Sequence, residues 1–71
     1  MDDITQKILT LTKKKMREAG AYDRDVYLEF IDESIEYYVN KGLIDIDENT
    51  EFIKDQLNPL YDAVTDSLSD A

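Results

Sequence analysis

The apolar residues recur with a helical period in three stretches, and turn-forming residues separate them. In the first, from 3 to 19, Ile4, Ile8, Leu9, Leu11, Thr12, Met16 and Ala19 project onto one broad face. Asp3 and Gln6 have the spacing of a capping box, and Gly20 stands where a helix commonly ends on a left-handed residue. Lys15 falls inside the apolar face. A lysine there lays its methylenes along its neighbours and keeps its ammonium in water.

The second stretch, from 24 to 41, is the most informative. Val26, Tyr27, Leu28, Phe30, Ile31, Ile35, Tyr37, Tyr38 and Val39 spread over more than half of the helical circumference, interrupted by Ser34 and the terminal Lys41. The remaining narrow stripe holds Asp25, Glu29, Asp32, Glu33, Glu36 and Asn40, five carboxylates and no base. A helix this widely apolar must be covered on more than one side, so it is expected to be the central element. Asp23 is placed as its N-cap, Tyr22 and Tyr27 have the N′ and N4 spacing of a hydrophobic staple, and Gly42 closes it.

The third stretch, from 50 to 68, gathers Phe52, Ile53, Leu57, Leu60, Tyr61, Ala63, Val64 and Leu68 on one side, with Gln56 intruding. Glu51, Asp55, Asp62 and Asp66 lie outside. The apolar phase survives Pro59, which predicts one helix kinked there; a break at Asn58 with Pro59 opening a short fourth helix is the alternative. Between the second and third stretches, residues 43–49 alternate apolar and acidic. With no partner strand available they are read as a loop whose apolar side chains plug the bundle end. The tail from Ser67 to Ala71 is read as frayed. The expected architecture is all-α: one domain over 1–71, a small three-helix bundle with a central second helix.

Size and composition sharpen this picture. A chain of 71 residues buries only about 60–65% of its unfolded surface, and a core of that size supplies roughly 3–5 kcal/mol of net stability. There is no cysteine and no histidine, so disulfides, thiolate metal sites and the commonest general base are all excluded. The net charge is −9, which repels phosphate and disfavours a nucleic-acid surface. No apolar run approaches the ~20 residues that span a bilayer, and the opening residues lack the basic and apolar regions of a signal peptide. The expectation is a cytoplasmic protein without cofactor. Charge is also unevenly divided. Residues 1–19 carry five Lys/Arg against three Asp/Glu, and residues 20–71 carry three against fourteen. The first helix is therefore expected to lie against acidic neighbours, or to meet the acidic stripe of another protomer or partner.

Candidate chemistry is sparse. Asp45, Asp47, Asn49 and Glu51 have the alternating oxygen spacing of the first half of a calcium-binding loop. Thr50 stands where that loop needs glycine and Gln56 where it needs a bidentate glutamate; the register that uses Gly42 puts Tyr37 and Val39 at ligand positions. Capping of the third helix is the simpler reading. The carboxylates of the second helix lack the shielded pocket that acid–base catalysis requires. Four of the five tyrosines fall on or beside apolar arcs and are assigned to core packing, leaving interface use as the alternative.

From Tyr22 onward the order of features resembles small tailed-phage head–tail connector (neck adaptor) proteins. The residues are Tyr22-Asp23-Arg24-Asp25 opening a helix, Phe30-Ile31-Asp32-Glu33, Gly42-Leu43 before an acidic linker, then Phe52-Ile53-Lys54 and Leu60-Tyr61, with a similar Met1-Asp2-Asp3-Ile4-Thr5 opening. The resemblance covers about 50 residues and implies a small, helical, non-enzymatic protein that assembles as rings. The first helix is longer than that pattern expects, and the resemblance transfers no binding residue.

The functional expectation is a non-enzymatic protein–protein interaction or assembly module. Glu29, Asp32, Glu33 and Glu36 are its candidate partner-binding residues, facing a basic protein or a second copy. A connector-like structural protein, an acidic DNA-mimic inhibitor and a calcium-responsive module are the alternatives.

Overall fold

The computed structural model describes residues 3–44 and 49–69. Three helical arms form the bundle: α1 (Asp3–Ala19), α2 (Arg24–Asn40), and a third arm made of α3 (Asn49–Leu57), a 3-10 turn (Asn58–Leu60) and α4 (Tyr61–Ser69). Asp3 is the first helical residue of α1 rather than its N-cap. Asp23 does take the N-cap place of α2, with extended backbone, but its side chain makes no capping bond; its carbonyl accepts the Tyr27 N–H at 2.9 Å.

Both glycines end their helices in the same way. Gly20 has φ +65° and Gly42 φ +75°. Ala21 N–H donates to Met16 O and Gly20 N–H to Arg17 O; Leu43 N–H donates to Tyr38 O and Gly42 N–H to Val39 O. These are paired Schellman bonds, which satisfy carbonyls the helix leaves unpaired.

α1 packs along α2 and also reaches α3 and α4. The core holds Ile8, Leu9 and Met16 from α1, Tyr27, Ile31 and Ile35 from α2, Ile44, and Ile53, Leu57 and Val64 from the third arm. Ile44 supplies the expected plug, whereas Leu43 stays 56% exposed. Thr5, Thr12 and Ser34 are buried with them, and these small hydroxyl residues sit within the α1 and α2 faces. Ser34, which the sequence reads as an interruption of the apolar arc, is therefore at its covered centre. The flanks of that arc are left open: Leu28 is 36% and Tyr37 47% exposed. α2 packs on α1 and reaches the third arm through the side chains of Tyr27 and Arg24, but α1 is the helix packed against all the others, so the central place expected of α2 belongs to α1; the fully covered strip of α2 runs only through Tyr27, Ile31, Ser34 and Ile35. On the third arm the centre lies at Ile53, Leu57 and Val64, and Phe52 is 57% exposed.

The arm bends where Pro59 removes a donor, and the bend is a 3-10 turn rather than a capped restart. α2 holds it. Tyr27 Oη donates to Leu57 O, Arg24 donates to Asn58 Oδ1 at 3.0 Å, and Tyr61 Oη donates to Tyr22 O at 2.7 Å. The Tyr61 ring lies 5.4 Å from that of Tyr27 and 5.6 Å from the Arg24 guanidinium carbon. The ring that meets Tyr27 is thus Tyr61, while Tyr22 is 42% exposed. α4 continues through Ser69, so 67–69 are helical rather than frayed; 70 and 71 lie outside the described residues.

Candidate functional site

The groove between α2 and α3 is where the sequence-selected carboxylates and the uncovered apolar arc come together. Leu28, Asp32, Ile35 and Val39 follow one another at helical spacing along α2. Thr50 and Lys54 on α3, and Asn58 in the turn after it, line the facing wall. Lys54 Nζ lies 2.9 Å from Asp32 Oδ1 and bridges the groove. Two hollows share that bridge. One of about 320 Å³ lies towards Ile35, Glu36, Val39 and Thr50; the other, of about 220 Å³, lies towards Leu28, Ile31 and Asn58. The Asp32 hydrogen bond raises the pKa of Lys54, its attraction to Asp32 and Glu51 adds to the rise, and desolvation works against it. Both partners are wet, with side-chain exposures of 42% and 61%, so the bridge is worth no more than about 1 kcal/mol.

The four predicted partner-binding residues are all exposed, but they do not form one site. Glu29, Asp32 and Glu36 lie on one flank of α2 at i, i+3 and i+7, with Glu36 lining the larger hollow. Glu33 turns the other way, 3.6 Å from Lys15 on α1. Lys15 Nζ lies over the Phe30 ring, 6.0 Å from its centroid, and its side chain is only 30% exposed, in agreement with the expected snorkelling lysine. Of the four, Asp32 and Glu33 have intramolecular cations, and Glu29 and Glu36 have none among the described residues.

Sequence reasoning passed over Lys54, Leu28 and Val39 as parts of a site. A signal existed for the first, since Lys54 is the lone base of a third arm otherwise rich in acids. The tyrosine assignment needs correcting. Tyr27 is buried and Tyr38 and Tyr61 half-buried, but Tyr37 is exposed; it stacks edge-on against Tyr38 at 5.1 Å, with Lys41 Nζ 5.0 Å from its ring. A further hollow of about 410 Å³ lies along α1, lined by Asp3, Gln6, Lys7, Thr10, Leu11 and Lys14 with Tyr38 of α2.

Of the proposed calcium ligands, Asp45 and Asp47 lie outside the described residues. Asn49 and Glu51 belong to the first turn of α3, so the helix begins inside the stretch that a calcium loop would use. Among the described residues no three His, Cys, Asp or Glu side chains converge on a metal-sized space, and no helix is long and apolar enough to cross a membrane.

What the fold defines is a small all-α bundle with an acidic, partly apolar groove. No family model, curated protein or solved structure matches the chain, so no family is assigned on similarity.

Proposed function

We propose that this protein is a cytoplasmic, non-enzymatic protein–protein interaction module, and that the exposed acidic flank of α2 receives a basic surface of a protein partner. The observation that carries this reading is the pairing pattern. Asp32 and Glu33 are met by Lys54 and Lys15, while Glu29 and Glu36 stand on the same helix without a cation among the described residues, on a chain of net charge −9. Complementary potential would accelerate encounter with a basic surface and discriminate against acidic ones. The double charge reversal E29K/E36K alters exposed positions only, so the fold should survive. Parallel affinity captures with the natural protein and E29K/E36K, followed by mass spectrometry, test the reading. Basic proteins retained by the first and lost by the second are expected; identical captures would overturn it.

A separate observation favours self-association as a second reading. Lys7 and Lys14 flank an apolar floor of Leu11 and Tyr38, and this hollow could take the acidic flank of another copy head to tail. A ring-forming connector would be one instance. Sedimentation at rising protein concentration decides it: a monomer throughout, for both the natural protein and K7E/K14E, ends this reading.

A further inference from the structure

Resting on the basic-partner reading, we infer that the α2–α3 groove takes an amphipathic basic helix, rather than a flat basic surface. Three features converge on that occupant. The first is shape: two hollows lie in line on either side of the Asp32–Lys54 bridge, so a bound segment would follow the α2 axis. The second is apolar spacing. Leu28 and the half-buried Val39 stand about 16 Å apart at 1.5 Å per residue, with the buried Ile35 at the floor between them, and this is the length over which an incoming helix offers side chains at i, i+4, i+7 and i+11. Leu28 is 36% exposed, more than a side chain belonging to a finished core. The third is charge. Glu29 and Glu36 flank this row without a cation among the described residues, and Asp32 is met there by a solvent-wet bridge that an incoming lysine can replace. An acidic segment would meet both this flank and a chain of net charge −9. The recognised chemistry is therefore leucine-like side chains on one face of a helix, with lysine or arginine on its edges.

Two synthetic peptides of identical composition test this: one with leucines at i, i+4, i+7 and i+11 among lysines, the other with the same residues scrambled. Affinities are measured by fluorescence anisotropy at low salt, and binding is mapped by amide shifts. The amphipathic peptide is expected to bind at least tenfold more tightly than the scramble, to shift residues around Leu28, Val39 and Thr50, and to weaken at least tenfold with L28E. Circular dichroism confirms that L28E, a half-exposed position, remains folded. Equal binding of both peptides, abolished by E29K/E36K, overturns the groove inference and leaves the basic-surface reading standing. Absence of binding by either peptide overturns both.

Discussion

Thr12 Oγ1 on α1 lies 3.2 Å from Ser34 Oγ on α2, and neither residue has any exposed surface. Thr12 spends its proton on the Ile8 carbonyl at 2.8 Å, so the Ser34 hydroxyl is the donor to Thr12. The pair places a polar contact between α1 and α2, and it disfavours a slip of one helix along the other, which would leave a buried hydroxyl unpaired.

Ser34→Ala should cost about 0.5–1.5 kcal/mol, because Thr12 keeps its carbonyl partner and only one neutral bond is lost. Ser34→Leu should cost more, about 1–3 kcal/mol or above, through overpacking between two close helices. Thermal denaturation followed by circular dichroism measures both. A stabilising S34L would show that space exists at this crossing.

Tyr27 should make stability fall in strong alkali. Burial pushes its pKa up to about 12 from the ordinary 10.0, with Arg24 lowering it slightly. Between those values the unfolded chain has released the phenolic proton and the folded chain has kept it, so folding loses free energy as pH rises through that window. Stability from this group is complete below about pH 10. Tyr27→Phe cannot titrate and should lack this component. It should also lose about 1–3 kcal/mol at neutral pH, since the Leu57 carbonyl loses its donor. Urea midpoints for both proteins from pH 8 to 12 test the difference; parallel curves would refute it.

Gly20→Ala and Gly42→Ala should each destabilise by about 1–2 kcal/mol, the cost of a left-handed backbone for an L-residue. A Cβ at either site meets nothing within 4 Å, so no steric term is added and the two penalties should match. Asparagine should cost less than alanine at both positions. Chemical denaturation of the four variants checks the order.

Asp32→Asn should change stability by less than about 1 kcal/mol, and the difference should shrink further in 1 M salt, because the Lys54 bridge is exposed and screened. A large salt-insensitive loss would mean that the bridge holds α3 in place.

How much of this was legible beforehand differs by element. The C-terminal ends of α1 and α2 followed from Gly20 and Gly42, which carry their meaning locally, and the helical period gave the rest, whereas Asp3 is not an N-cap and Asp23 makes no capping bond through its side chain. The Pro59 kink was legible for the same reason, but its form as a 3-10 turn was not. The turn is bonded by Arg24, Tyr27 and Tyr22, each thirty or more residues from its partner. The wide apolar arc of α2 correctly announced contact on two sides, yet it overstated the cover, because periodicity shows which side chains prefer burial and not whether a neighbour comes close enough to bury them. Leu28 and Tyr37 have the same hydropathy whether a third helix lies against them or leaves a groove.

The candidate site divides along the same line. That Glu29, Asp32, Glu33 and Glu36 are exposed on the polar side of α2 was determined by the sequence alone, through helical geometry and the absence of bases between them. Only the tertiary structure decided which carboxylates already have a cation, that Lys54 crosses to Asp32 while Lys15 reaches Glu33, and that two hollows open beside the former. Helical phase is a property of residues three or four apart. Ion pairing and groove width depend on the distance between helices, and that distance is set by the side chains of all three arms packed at once.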